Sequence, residues 1–257
     1  DRDKQRIALQ PLARASTKPP QLVSFRKQLD ELIAAPTPHP ILEDLLLFRA
    51  QAALASKTSE GYAQAESDAT LLLQKFPGSP LKVHAYGVLT DAAWEQLRYR
   101  TAADSAEKAR AELAPGPERA ALGVLIAEAR FRARDFRSAA DAYAASLRER
   151  PAGVSAGELM FQRIVSEIEA GAPDAAAMVL DELARDPAFD AVNRWQAEWN
   201  LARGLQARGK IDEAYARVNR LLGEPGTSLG TGPAEVELRA RMAWLQARLS
   251  LAAKKPE

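Results

Sequence analysis

Apolar and polar residues alternate along this chain with the three- and four-residue spacing of helices that turn one face to a core. Between Pro20 and Ala35 the apolar positions are Leu22, Phe25, Leu29 and Leu32, and between Pro233 and Ala253 they are Leu238, Met242, Leu245 and Leu249. Both stretches predict amphipathic helices. A third reads as a helix from Phe136 to Arg150, carrying Phe136, Ala139 and Tyr143 on one side and closed by Pro151. Proline ends a helix there because it lacks an N–H and its ring clashes with the preceding turn. Glu118 to Arg132 predicts the helix before it, with Arg134-Asp135 as the turn between them.

This two-helix unit recurs along the chain. An aromatic followed three residues later by Ala occurs at Tyr62/Ala65, Tyr99/Ala102 and Phe136/Ala139, in steps of 37 residues, and the spacing continues through Pro173/Ala176 and Ile211/Ala214. Counting back from Tyr62 by the same step lands on Phe25. A second series of markers, Pro77, Pro115, Pro151, Pro187 and Pro225, advances with the same mean period. Start signals recur as well. Ser79-Pro80, Gly116-Pro117 and Gly232-Pro233 predict proline in the first helical turn, and Ser155 with Glu158 spells a capping box. Ala53, Ala127 and Ala202 in first helices, with Ala65, Ala102, Ala139, Ala176 and Ala214 in second helices, mark close helix–helix approach. Leu89, Ile126, Leu201, Leu72, Leu183 and Leu221 fill the space between. No single hairpin can bury both its faces, so stacked neighbours must supply the core.

The ends depart from the pattern. Asp1 to Lys18 is charged and carries Pro11, which predicts a poorly packed helix or an extended arm. Pro20 to Ala35 is then the second helix of an N-terminal partial unit. Glu224 to Gly232 is a loop rich in Gly, Ser and Thr that leads to a last, capping helix. Three segments follow: an arm over residues 1–19, a repeat body over 20–225, and a linker with capping helix over 226–257.

The residues Ile126-Ala127, Asp135-Phe136, Ala139, Tyr143 and Pro151 resemble the tetratricopeptide repeat, as do Leu201-Ala202, Gly209, Ile211, Ala214 and Val218. The unit around Ala176 departs from it, with Arg163 where an aliphatic is usual and Pro173 where an aromatic is usual, and the first unit has an insertion near Lys57 to Gly61. The resemblance spans about Pro36 to Pro225 and marks a divergent bacterial member. It implies an all-α, right-handed α-solenoid of stacked antiparallel helix pairs, with about five repeats between the partial unit and the cap. It also implies an inner face built from the first helix of each unit, on which partner peptides or proteins are held.

Carrying that geometry over by the repeat period puts Trp94, Phe131 and Ile168 in one column and Phe161 with Trp199 in another. Asp91, Glu95, Glu128, Arg132, Glu158, Glu169, Arg203 and Gln206 flank them. Aromatic anchors beside charged groups suit a binding surface. The competing reading of the same residues is core between adjacent helices. Of the set, Trp94 and Trp199 are expected at the surface.

Composition narrows the function classes. Lys and Arg, 35 together, nearly cancel 34 Asp and Glu, so the charge expected of a nucleic-acid binder is missing. With no Cys there is no disulfide, thiolate metal site or cysteine nucleophile. The longest uncharged run, Leu32 to Leu42, holds three prolines and falls short of the ~20 residues that span a bilayer. The two histidines, His39 and His84, have no ligand or triad constellation around them, Asp91 being the one acidic residue at ligand spacing from His84, and Gly226, Gly230 and Gly232 lack the Lys-Ser/Thr of a phosphate loop. Acid pairs such as Glu43-Asp44 read as solvated helix faces, and no carboxylate pair stands out for glycoside hydrolysis. The expectation is a non-enzymatic scaffold with no cofactor or metal and with other proteins as partners; a spacer or oligomerisation module, its groove filled by its own N-terminal segment, is the alternative. Starting at Asp1 without Met, the chain reads as a processed product or a segment of something longer. The Phe76-Pro77-Gly78-Ser79-Pro80 turn is similar to turns of bacterial envelope proteins with this repeat, which points to the periplasm or envelope, with the cytoplasm as alternative.

Overall fold

The structure, a computed structural model, describes residues 2–16, 18–224 and 229–255. Pro225, the last of the proline markers, and Gly226, the expected start of the linker, lie outside the described residues. Thirteen helices, and no strands, are found among the described residues. They are α1 (Arg2–Ala15), α2 (Pro19–Ile33), α3 (Leu42–Leu54), α4 (Ser59–Lys75), α5 (Lys82–Glu95), α6 (Tyr99–Ala111) and α7 (Pro117–Arg132), followed by α8 (Phe136–Glu149), α9 (Ala156–Glu169), α10 (Pro173–Leu183), α11 (Ala191–Ala207), α12 (Ile211–Gly223) and α13 (Pro233–Ala252).

Two compact units divide the chain, Asp1–Ala133 with α1 to α7 and Arg134–Glu257 with α8 to α13. Inside each unit, helices pack in sequence order. In the first, α1 rests on α2 and α3, and α2 through α7 follow one another, with α3 also touching α5. In the second, α8 through α13 do the same, with α9 touching α11 and α11 touching α13. The odd-numbered helices are the first members of the sequence hairpins, and inside the units α1 meets α3, α3 meets α5, α9 meets α11 and α11 meets α13. That is the contact pattern of a helical repeat.

The small residues sit where the hairpins close. Ala65, Ala102, Ala139, Ala176 and Ala214 are all 0% exposed, as are Ala53, Ala127 and Ala202. A methyl is the largest side chain that lets two backbones come so near. At Gly61 even that is too much, because a Cβ there would stand 2.4 Å from the Ala53 carbonyl oxygen. Around these contacts lie Leu72, Leu201 and Leu221, all within 1% of full burial. In α13, Leu238, Met242, Leu245 and Leu249 are buried against the second unit's core.

One backbone device closes the first helix of five hairpins among the described residues. Lys57, Leu97, Arg134, Gly171 and Gly209 have φ between 50° and 82°, and each stands two residues before its following helix, α4, α6, α8, α10 or α12. At three of them the full Schellman pairing is formed: Arg98 N–H donates to Ala93 O while Leu97 N–H donates to Trp94 O, and Ala172/Glu167 with Gly171/Ile168, and Lys210/Leu205 with Gly209/Gln206, repeat the arrangement. A left-handed residue reverses the chain in the least space and satisfies carbonyls that the helix end leaves open.

Several start signals take the expected form. Pro117 and Pro233 open their helices after Gly116 and Gly232, and the Ser155 hydroxyl accepts from Glu158 N–H at 3.4 Å. Pro80 does not open α5. It lies in the turn before it, where Ser79 Oγ accepts from Leu81 N–H and Ser79 O from Lys82 N–H, so α5 begins at Lys82.

A buried ion pair ties the hairpin together near both ends of the repeat series. In the first unit Arg49 of α3 grips Asp68 of α4 through two hydrogen bonds of 2.8 and 2.6 Å, and its remaining reach goes to Asp30 of α2 at 2.9 Å. In the second, Arg217 of α12 grips Glu198 of α11 through two bonds of 2.9 Å and reaches Asp181 of α10 at 3.0 Å. The two pairs occupy the same repeat positions with charge reversed. The repeats between carry Tyr86 with Ser105, Gly123 with Ala142, and Met160 with Val179 at those positions.

Candidate functional site

Helices α5, α6 and α7 of unit one bring together a cluster of aromatic and charged side chains. Trp94, near the end of α5, is half-buried and meets Tyr99, at the start of α6, edge-on with ring centroids 5.3 Å apart. The left-handed turn at Leu97 is what folds these two residues, five apart in sequence, onto each other. Arg132, at the end of α7, lies over both rings, its guanidinium carbon 5.2 Å from the Trp94 centroid and 5.6 Å from that of Tyr99. Glu128, one turn earlier on α7, accepts from Arg132 Nε at 2.6 Å. The hydrogen bond to Glu128, then that to Tyr99, raises Arg132 above its ordinary value, so it is a cation at any working pH. A cation stacked on two rings is worth ~0.5–2 kcal/mol and, above all, holds those rings in place.

Beside this cluster two acidic groups share one turn of α5. Loss of hydration, and then the neighbouring Glu95 charge, push the Asp91 carboxyl up from its ordinary value. Loss of hydration, and then the charge of Glu95, raise the phenol of Tyr62 on α4. The surface therefore offers an aromatic edge with a stacked cation, and on α5 a carboxylate pair whose charges repel.

The second unit builds a smaller version. Trp199 of α11 carries Arg203 over its ring, 4.5 Å from the centroid, at the i,i+4 spacing of one helix turn. Phe161 of α9 and Trp199 line one cleft of about 240 Å³ that is completed by Glu237 and Arg241 of α13. Phe161 and Trp199, expected in one column, both line this cleft. Inside it the Trp199 indole N–H is buried without a hydrogen-bond partner.

Not every expected residue lines a surface. Ile168 is 8% exposed and belongs to the core, where it packs so close to α11 that a Cβ on Gly204 would stand 3.0 Å from its Cγ2. It supports α11 and offers nothing to a partner, because its helix position turns inward. Phe131 is half-buried on α7 in unit one. Asp91, Glu95 and Arg132 are exposed, whereas Trp94 and Trp199 keep only part of their surface open.

Three features escaped the sequence reading. Tyr99 was a repeat marker and is also a member of the aromatic cluster. Glu43-Asp44, read as a solvated face, is instead buried beneath arginines of α1, with Arg6 Nε donating to Asp44 at 2.8 Å. Trp244 is 57% exposed on the outer side of α13, with Arg248 stacked over it at 4.6 Å. Among the described residues no group of three or more His, Asp or Glu could hold a metal ion, and no helix is long and apolar enough to cross a membrane. The chain matches no family model and no curated protein.

Proposed function

We propose that this protein is a tetratricopeptide-type α-solenoid, a divergent bacterial member, whose first-helix face holds a partner peptide or protein without catalysis. The observation that carries the reading is the Trp94–Tyr99–Arg132 cluster, an aromatic edge held by a stacked cation. Rigid aromatic and Arg anchors dominate binding energy at interfaces because they bury much area at small entropic cost. The small residues at every hairpin and the sequence-order packing support the repeat assignment. The test is affinity capture from the native source with Trp94→Ala and Trp199→Ala chains of unchanged melting temperature. Each substitution should weaken capture of the main partner by about 2 kcal/mol or more, some thirtyfold. Full retention of every partner by both variants would refute the reading.

A second reading is favoured by one feature, the docking of α1 on α3. In it the chain is a spacer or assembly arm whose own N-terminal segment occupies part of the partner face. Removal of residues 1–18 should then lower the melting temperature, and an unchanged melt would count against it. For location we propose the periplasm or cell envelope, on the strength of the Pro77-Gly78-Ser79-Pro80 turn; cell fractionation with an antibody to the chain decides it.

A further inference from the structure

Helix α1 lies against α2 and α3, and it is held in a way that no other helix is. Its packing buries a single side chain, Leu9, and leaves Ile7 and Leu12 67% and 50% exposed. Pro11 in its middle removes a helix N–H and crowds the carbonyl of Ile7. What fastens α1 is charge. Arg2 reaches Glu43 at 2.5 Å, and Arg6 reaches Glu43 at 2.6 Å and Asp44 at 2.8 Å. Those two carboxylates, in the first turn of α3, keep only 7% and 9% of their side-chain surface. Covered in this way, they need cations directly above them.

Beside the contact is a cleft of about 680 Å³ bounded by α1, α3 and α5. Phe48 of α3 and Leu81, in the turn before α5, line it, while α1 contributes Arg6, Gln10, Ala13 and Arg14, of which Ala13 alone is apolar. Helix α1 therefore answers the charge of this surface and underfills its apolar part.

We propose that the surface of α3 beneath α1 is a docking site for a basic amphipathic helix of a partner protein, and that α1 is its resident stand-in. The helix it takes has two arginines one turn apart, a leucine three residues on, as in Arg2, Arg6 and Leu9, and a bulky apolar side chain where α1 has Ala13. This rests on the reading that the first-helix face holds partners; it adds where on that face the contact begins and what charge the partner brings. Because α1 is tethered, it competes at an effective concentration on the order of millimolar. A partner must beat that, and weakening the two arginines lowers the barrier.

The test uses the full chain and a fluorescent peptide with the sequence of residues 2–16 carrying P11A and A13L, read by anisotropy. The unaltered chain should bind it weakly and in a salt-dependent way. An Arg2→Ala/Arg6→Ala chain should bind at least about tenfold tighter, since its own helix no longer competes. Adding the near-isosteric Glu43→Gln and Asp44→Asn should reverse that gain, with the melt of each chain as control. A peptide with both arginines replaced by Glu should not bind, which repeats the test without altering the chain. Equal binding by the unaltered and Arg2→Ala/Arg6→Ala chains overturns the proposal, as does binding indifferent to Glu43→Gln and Asp44→Asn. Pairing of the Arg2→Ala/Arg6→Ala chain into dimers that exclude the peptide overturns it in favour of a second copy of this chain. Trp94→Ala, run in parallel, separates the two readings: loss of native partners in that variant with no peptide binding anywhere would remove this site alone.

Discussion

At single residues the molecule pays most visibly in its turns. Leu97 is 70% exposed, so no packing rewards its side chain, yet its φ of 58° places it where a Cβ crowds the following carbonyl. Gly171 and Gly209 fill the equivalent position in later repeats without that strain. Leu97→Gly should therefore stabilise the protein by about 1 kcal/mol in urea unfolding, the relief of strain exceeding the added freedom of the unfolded chain. A loss of stability would mean that Leu97 holds the Trp94 and Tyr99 rings in a way its exposure conceals. Asp91 carries a second testable cost. Its folded value is raised, by lost hydration and by Glu95, so the fold prefers it protonated. The ionised form accordingly costs stability at neutral pH, and the cost disappears as pH falls through the folded value and below the ordinary 3.8. Asp91→Asn should raise the melting temperature at pH 7 and leave it unchanged well below that value. An equal gain at both pH values would show that the effect is not electrostatic.

Among the elements, the seam between the helices of a hairpin is where sequence variation has physical consequences. The Arg217–Glu198 pair is bidentate, and Glu198 is 2% exposed. Removing only Arg217 leaves the buried carboxylate to the half-exposed Arg220, 3.9 Å away, so Arg217→Ala should cost about 3 kcal/mol in denaturant unfolding. Replacing both by the residues of the preceding repeat, Glu198→Met with Arg217→Val, should cost far less and can be neutral, since apolar side chains need no partner. If the double exchange proves as harmful as the single one, the pair contributes more than mutual neutralisation. Asp181 makes the same seam acid-sensitive: burial works to raise its carboxyl, but the bonds and charges of Arg217 and Arg220 prevail and lower it. A carboxylate lowered on folding adds stability above its unfolded value, and that stability is lost as pH falls through the folded one. Gly61 limits the first hairpin differently. Its missing Cβ would stand 2.1 Å from Ser56 Oγ and 2.4 Å from the Ala53 carbonyl, and the carbonyl belongs to a helix that cannot yield. Gly61→Ala should cost about 1–3 kcal/mol, read from the thermal melt, by forcing α3 and α4 apart.

At the scale of the whole molecule, packing in sequence order inside each unit means that each helix depends mainly on its neighbours there. Damage should stay local. In native-state hydrogen exchange, Arg217→Ala should strip protection from α11 to α13 while α3 to α6 in the other unit keep most of theirs. Uniform loss across both units would mean that the chain unfolds as one cooperative body. Most of the fold was legible in advance because hydrophobic spacing, proline stops and the alternation of Ala with larger apolar residues are local signals that recur. The site was legible only in part. The repeat period brought Phe161 to Trp199 and placed Trp94 at the surface, but it put Ile168 in the same row, because a period reports which helix face a residue shares and not how deep that face lies.

The order of residues alone determined that this chain forms paired helices, where several of them start and stop, and which small residues let them touch; these follow from backbone sterics and helical spacing, which act within a few residues. Tertiary structure alone decided that Arg132 covers two aromatic rings from another hairpin, that Glu43 and Asp44 lie beneath arginines of α1 instead of in water, and that two buried ion pairs of opposite polarity occupy matching positions. Each of these depends on distance between side chains far apart in the chain, and such distances exist only once the helices have stacked.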